Sequence, residues 1–384
     1  MELRACSVEN LVSSPLAGRR IFLTGHTGFK GGWLALSLAR QGATVRGYAL
    51  GPSTEPSLFA TACVGSLIED VRGDIRDAAK LDQSMRDFAP EIVFHLAAQP
   101  LVRRSYLDPV GTYATNVLGT ANVLESVRSL PSVRAVVVVT TDKCYFNQES
   151  LRPYRETDPL GGHDPYSASK ACAEILCASY RSSFFSPESQ ERRNVALATA
   201  RAGNVIGGGD WSEDRLIPDL IRGFVRGEPV PIRRPTAIRP WQHVLEPIAG
   251  YLLLAERLLA GDTTFAEAWN FGPLDDDAWP VERIANAMAT RWGNGASWFQ
   301  DGHESVHEAG ILRLDSGKAR AELSWQPRLR LDTALEWLVD WYRSWQGGAD
   351  MQAFTLEQIA AYEKTGDASA TNFRQHLPAF GNQP

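Results

Sequence analysis

No stretch of the 384-residue sequence stays apolar for the roughly 18–20 residues that a bilayer span needs, which excludes a transmembrane helix. Met1–Gly18 also lacks a long apolar run, so no secretory signal is expected. Cysteine is scarce: five residues, at 6, 63, 144, 172 and 177, with no CxxC pair. An odd, scattered set excludes a disulfide framework or a zinc ribbon and suits a reducing cytoplasm. An excess of basic charge is missing too. Lys and Arg number 39 against 45 Asp and Glu, a net charge of -6, and Arg103-Arg104 is too short a run to attract nucleic acid. Internal repeats and low-complexity tracts are absent. What is there is ordinary globular chain, 44% hydrophobic and 22% charged, and longer than the roughly 250–300 residues at which one core stops growing.

The chain alternates. Arg20–Thr24 reads as a buried strand, Lys30–Arg40 as a helix stopped at Gly42, and Ala43–Leu50 as a second strand, which makes one βαβ unit. The pattern repeats with strands at Ser66–Val71, Glu91–His95, Val133–Thr140 and Val195–Ala202. Helices fall at Ala78–Phe88, Val110–Val127 and Tyr166–Phe184. Strands as apolar as Val136–Val139 are covered on both faces, so the expected class is α/β, a Rossmann-type doubly wound parallel sheet. After residue 203 the texture changes: Gly207–Gly209 and five prolines break the rhythm, with helices returning at Glu246–Leu259, Val281–Arg291 and Thr333–Trp345. The expected organisation is an N-terminal extension (1–17) and a dinucleotide-binding domain (18–202 plus about 235–260). A smaller C-terminal α+β substrate-binding domain (203–234 and about 261–365) and a loose tail (366–384) complete it.

Gly25-His-Thr-Gly28-Phe-Lys-Gly31 lies where the first strand hands over to the first helix. There the first glycine permits a tight turn, the second admits a pyrophosphate to the backbone, and the third lets helix pack on strand. The helix N-terminus offers unpaired N–H groups to phosphate. Gly25, Thr27, Gly28, Phe29, Lys30 and Gly31 are therefore candidate cofactor residues. No acid follows the second strand to hold a ribose 2′-hydroxyl, and Arg46 reads either as a partner for a 2′-phosphate or as a surface arginine, so the residues alone leave NAD and NADP open. Asp74 and Ile75, after the third strand, are placed to reach the adenine end.

Tyr166 and Lys170 sit one helical turn apart on one face. A phenol is a poor base at neutral pH, and a nearby ammonium favours the phenolate. The pair can then take a proton from a substrate alcohol while hydride leaves for a nicotinamide. The strand before it ends Thr140-Thr141-Asp142-Lys143, at the carboxyl edge where open α/β sheets bind ligands. Thr141 can hydrogen-bond the same alcohol. Asp142 and Lys143 are superfluous for simple oxidation but suit an elimination, which needs one group to protonate a departing hydroxyl and another to remove a proton α to a carbonyl.

These stretches resemble the extended short-chain dehydrogenase/reductase superfamily from about Arg19 to Tyr362. The narrower ones, Thr141-Asp-Lys-Cys-Tyr145, Ala202-Gly-Asn-Val-Ile-Gly-Gly-Gly-Asp-Trp211 and Arg239-Pro-Trp-Gln-His-Val-Leu-Glu246, are similar to the nucleotide-sugar 4,6-dehydratases that act on CDP-glucose. The resemblance implies NAD as cofactor, with Ala97 and Ala98 of the His95–Ser105 stretch beside it. It also implies a redox-neutral cycle in which Tyr166, Lys170 and Thr141 serve oxidation at C4. Asp142 protonates the leaving C6 hydroxyl, and Lys143 removes the C5 proton where the dTDP-glucose branch carries glutamate. Asn204 and Arg239 match positions that hold a nucleotide diphosphate, and Trp211, Arg215 and Arg233 are expected to border that site. Asn116, in the helix after Arg103-Arg104, is a further substrate-site candidate, with capping or packing as the equal alternative. A homo-oligomer, dimer or tetramer, is expected through the helices at Val110–Val127 and Tyr166–Phe184.

Other signals point elsewhere and are weaker. His303-Glu-Ser-Val-His307 fits HExxH, but glycines bracket it and no third ligand suggests itself, so no metal is expected. His26 and His95 flank the glycine loop as packing residues, and Trp337, Trp341 and Trp345 form a helical core stripe. Two other readings of the site stand beside elimination: a nucleotide-sugar 4-epimerase or 4-reductase on the same fold, and a non-catalytic nucleotide sensor. An epimerase has no hydroxyl to expel and no use for Asp142 and Lys143; a sensor has no use for Tyr166 and Lys170.

Overall fold

The computed structural model describes residues 14–186, 195–302 and 310–365. The expected metal-free HExxH segment and the tail 366–384 lie outside them, as does most of the N-terminal extension.

Among the described residues, twelve strands run in chain order: β1 Arg20–Thr24, β2 Thr44–Ala49, β3 Glu69–Arg72, β4 Ile92–His95, β5 Ala135–Val139, β6 Ala196–Ala202, β7 Asn204–Ile206, β8 Val230–Ile232, β9 Ile238–His243, β10 Ala268–Phe271, β11 Ala278–Pro280 and β12 Trp298–Gln300. Seven of them form one sheet in the order β10-β6-β5-β4-β1-β2-β3, every pair parallel. The order reverses between β1 and β4, the switch point at which such sheets open a crevice. β5 is buried along its whole length, as its run of valines predicts. One correction to the expected boundaries follows. β10 is the sheet's last strand, so the large sheet draws on residues 268–271, which the sequence reading gave to the smaller domain. A four-residue strand beyond a break in the pattern carries too little periodicity to be seen. The smaller sheets are β11-β9-β7 and β12-β8.

Two C-terminal helices close the back of the molecule. Leu331–Gln346 carries the tryptophan stripe, with Trp337 and Trp341 buried. Met351–Lys364, which the sequence reading did not pick out, packs against it and against the first helix, Phe29–Arg40. The Gly207–Gly209 loop packs against Leu331–Gln346 and the first helix. A Cβ on Gly208 would lie 2.0 Å from the Trp341 ring, and one on Gly209, at φ +81°, 2.6 Å from Leu58. Trp33 Nε1 donates to Gly208 O at 2.9 Å, and Tyr342 Oη to Asp210 O at 2.6 Å.

Glu246 clasps these elements. Its buried carboxylate accepts from Leu329 N at 2.7 Å, from Arg328 N at 3.0 Å and from Tyr362 Oη at 2.9 Å. Burial nevertheless pushes it up from 4.5 to about 7. A carboxyl whose proton is held more tightly in the folded chain contributes stability at low pH that is lost as pH rises through about 4.5 to 7. Against a Glu246→Gln variant, which cannot titrate, the wild type should lose roughly 3 kcal/mol across that window. Denaturant unfolding of both proteins at each end of it checks this; a constant difference refutes it.

Candidate active site

The glycine loop does what its sequence position asks. Gly25 turns at φ +80°, and a Cβ there would stand 2.7 Å from Ala97 N, so the loops after β1 and β4 meet at the switch point. A Cβ on Gly31 would lie 2.1 Å from Gly25 O, which sets the helix hard against the turn. Gly28 is the N-cap of the first helix and supplies no side-chain acceptor, so the first-turn N–H groups are left for an anion. Nothing nearer than 3.4 Å would meet a Cβ on Gly28, and that open backbone is the cradle a pyrophosphate needs. These residues fit a dinucleotide.

The flanks are braced. Thr27 Oγ1 donates to Leu50 O at 2.9 Å, and Phe29 packs near Gly207. Thr24 Oγ1 accepts from Leu96 N and Ala97 N and meets His95 Nδ1 at 2.7 Å, while His95 Nε2 meets Thr120 at 3.0 Å. Burial drops His95 to about 3, so it is a neutral brace, as its packing reading has it. Arg46 is engaged elsewhere, with Ser84 O at 2.9 Å, Glu69 at 2.7 Å and the Phe88 ring beneath it, which removes it as a 2′-phosphate partner. The Asp74 carboxylate is held by Arg76 at the edge after β3; Ile75 is buried against Gly119.

The five residues named for catalysis converge at the carboxyl end of β5. Asp164 caps the helix Pro165–Ser183 through Ser167 N at 2.9 Å, and Pro165 occupies its first turn. That Asp-Pro start, legible by helix-capping rules, fixes where Tyr166 stands. Thr141 bears on the Tyr166 phenol, and its Oγ1 donates to Asp142 Oδ1 at 3.1 Å. Lys170 Nζ donates to Val139 O at 3.2 Å. Lys143 is half-buried on the same short turn, Asp142–Cys144.

Burial sets the charges here. Asp142 is 2% exposed, and its Oδ2 has no hydrogen-bond partner. Desolvation raises its pKa against the pull of Lys143, Thr141, Arg239 and Lys30, which favours a carboxyl that keeps a proton to give. Burial lifts Tyr166 to about 12, opposed by Thr141 and Arg215. Arg215 is thus a further cation bearing on the phenol, a role in which the sequence did not single it out. Lys170 falls to about 8 through burial, with Glu174 opposing. Lys30 falls to about 7, chiefly through burial and then the charges of Arg215 and Lys170; its Nζ donates to Tyr251 Oη at 3.3 Å.

The substrate-side candidates divide. Arg239 is buried, donates to Ile238 O and Gly310 O, and bears on Asp142. Asn204 is half-buried where β7 begins. Arg215 is held by Asp210 at 3.3 Å, and Arg233 by Asp214 at 3.4 Å. Two candidates need correction. Asn116 is buried with its amide satisfied: Oδ1 accepts from Gln99 N at 2.8 Å, while Nδ2 donates to Gln99 O at 3.0 Å and Ser169 Oγ at 2.9 Å. It braces the loop after β4 against the catalytic helix and offers nothing to a substrate. Trp211 is buried among Trp341, Tyr342 and Trp345, a core contact created by residues far along the chain. The sequence reading missed Asp210, which holds Arg215 and caps Ser212 N at 3.0 Å; an acid between GGG and Trp was its only signal.

Residues 21–272 match the NAD dependent epimerase/dehydratase family. The chain is 52% identical over 345 residues to a CDP-glucose 4,6-dehydratase of Salmonella typhimurium, covering 90% of this chain and 96% of the relative. It is 26% identical over 366 residues to a dTDP-glucose 4,6-dehydratase of Xanthomonas campestris, covering 88% and 98%. Among solved structures, a UDP-glucose 4-epimerase from Thermotoga maritima superposes with a TM-score of 0.72 at 21% identity, over 85% of this chain and 99% of that one. A dTDP-glucose 4,6-dehydratase from Streptomyces venezuelae with NAD bound gives 0.71 at 24%, over 86% and 98%. These two establish likeness of fold. With its glycine cradle at the switch point and a Tyr-Lys helix beside it, the chain belongs to the NAD dependent epimerase/dehydratase family.

Proposed function

We propose that this enzyme converts CDP-glucose to CDP-4-keto-6-deoxyglucose and water, with NAD as cofactor, as a step toward deoxysugars of surface polysaccharide. One observation carries the reading. A buried carboxyl whose proton affinity is raised, Asp142, and a lysine, Lys143, share the turn that Thr141 caps, and Thr141 bears on Tyr166. The identity to a CDP-glucose 4,6-dehydratase supports the choice of substrate.

Gly25, Gly28 and Gly31 with the first-turn N–H groups would hold the cofactor, which when bound supplies a reversible hydride acceptor and a positive charge that favours the phenolate. Tyr166 removes the proton of the sugar 4-hydroxyl. The 4-keto group acidifies C5–H, and Lys143, in its neutral form, takes that proton. Asp142 protonates the C6 hydroxyl as its C–O bond breaks, and water leaves. Lys143 returns a proton to C5 as C6 becomes a methyl group. The proton gained by Tyr166 makes good the one Asp142 gave, so the cycle closes in protons and electrons. Arg215, Arg233, Arg239 and Asn204 would hold the diphosphate, for which guanidinium forks are suited.

Two copies would pair through the helices at residues 109–129 and 165–183. These expose Val110 (78%), Leu118 (62%) and Ile175 (58%), an apolar surface of the kind that marks protein–protein contact. Among the described residues, no helix is long and apolar enough to cross a membrane.

Incubation with CDP-, dTDP-, UDP- and GDP-glucose should give a 4-keto-6-deoxy product from CDP-glucose, with deuterium placed at C4 recovered at C6. A 4-epimer, or label lost to solvent, overturns the reading. Lys143→Met should slow solvent exchange at C5 more than oxidation at C4; equal loss removes Lys143 from its role. Lys170 serves the oxidation as the cation that favours the phenolate, and burial lowers it to about 8, so kcat should fall as pH rises through that value. Lys170→Arg, which cannot lose its charge, should abolish that limb whatever its lower rate. Sedimentation should find wild type dimeric or tetrameric and a Leu118→Glu/Ile175→Glu variant dissociated; a monomeric wild type refutes the pairing.

A further inference from the structure

Behind the catalytic turn lies a buried ion pair that no step above uses. Arg201 on β6 donates to Glu174 Oε2 at 2.8 Å, with side chains only 4% and 2% exposed. Glu174 also accepts from Thr140 Oγ1 and, at 2.7 Å, from Thr199 Oγ1. Arg201 Nη1 donates to Tyr145 Oη at 2.8 Å, and its guanidinium lies 5.0 Å from that ring. Tyr145 in turn donates to Asn270 Oδ1 at 2.7 Å and stacks on Tyr154.

The placement of these groups is informative. Thr140 immediately precedes the Thr141-Asp142-Lys143 triplet, and Tyr145 follows it by two residues. Both ends of the catalytic turn are therefore tied to one ion pair. Glu174 stands one helical turn beyond Lys170 and two beyond Tyr166, so the same carboxylate is rigidly joined to the oxidising pair. Asn270 carries the tie to β10 at the sheet edge. Stability does not account for the arrangement. A buried ion pair costs about as much in desolvation as it returns, and a well-packed apolar replacement is often as stable. What such a pair does provide is fixed direction at both ends.

Resting on the reaction proposed above, we infer that Glu174 and Arg201 are positioning residues. They fix the acid and base of the elimination, Asp142 and Lys143, relative to the oxidising pair, Tyr166 and Lys170. The two halves of the reaction then act on one bound sugar without a pause in which the oxidised sugar escapes. Cutting either tie should leave oxidation at C4 in place and impair dehydration, because a shift of order 1 Å at a reacting group costs about 10²-fold.

Thr140→Val and Tyr145→Phe each remove one tie without touching a catalytic group; Glu174→Gln removes the charge common to both. In single turnovers with CDP-glucose, each variant should build up the near-ultraviolet absorbance of reduced cofactor. Arrival of C4 deuterium at C6 should be slowed about tenfold or more, while KM stays within about twofold. Loss of oxidation and dehydration by the same factor, or no change in either, refutes the inference; both are what a purely structural pair would give. Should Glu174→Gln fail to fold, the two tie variants decide the matter. Should wild type itself fail to dehydrate CDP-glucose, it is the proposed reaction that falls.

Discussion

At the carboxyl end of β5 an uninterrupted apolar strand, Ala135–Val139, gives way at once to Thr140, Thr141, Asp142 and Lys143. Polar and ionisable groups are carried there into a place with little water. One cause then acts in several directions. It lifts the carboxyl of Asp142, lifts the phenol of Tyr166 and lowers the ammonium of Lys170. Each shift favours the neutral form: Asp142 and Lys170 move toward neutrality, while the phenol of Tyr166 moves away from it. The surrounding guanidinium groups work against that burial. Arg215 draws the phenol down and Arg239 the carboxyl. Arg215 acts through a loop that the C-terminal helices hold, so its effect on Tyr166 depends on packing well outside the crevice.

The reversal of strand order between β1 and β4 places the crevice, and the glycine loop fills one side of it. The β11-β9-β7 sheet, through Arg239, and the Gly207–Gly209 loop, beside Phe29, border the other. Gly208 beneath the Trp341 ring and Trp33 on its carbonyl leave that loop no room to drift. A rigid back wall of this kind suits a reaction in which one sugar must meet three proton-handling groups in succession.

Much of this was legible in the sequence. The strand–helix alternation predicts the sheet through β6, because β-branched runs such as Val136–Val139 and glycine-stopped helices are strong local signals. The catalytic turn and the Tyr-Lys helix were equally plain, because their chemistry is specified by residue type and short spacing. What was not legible depends on distant partners. β10 is four residues long and owes its place to β6, not to its own pattern. Trp211 read as a pocket residue because nothing nearby reveals Trp341 and Trp345 waiting more than a hundred residues on. Asn116 read as a substrate ligand because its saturation by Gln99 and Ser169 is tertiary. The glycine loop specified a dinucleotide but not which, since the 2′-hydroxyl partner is missing from the expected strand end and Arg46 turns to Glu69 instead.

The fold alone does not choose among reactions. An epimerase and a dehydratase superpose on this chain equally well, with TM-scores of 0.72 and 0.71. Both chemistries begin with removal of hydrogen from C4, and Tyr166 with Lys170 serves either. They part at the next step. An epimerase must let the oxidised sugar turn over, which demands slack, whereas elimination demands that C5 and C6 stay before an acid and a base. In the proposed reaction Asp142 would supply the acid, and the ties from Thr140 and Tyr145 to Glu174 and Arg201 would remove the slack. On that proposal the commitment to dehydration would be written in two places at once: in the residue types of a three-residue turn, and in the buried ion pair that ties both of its ends.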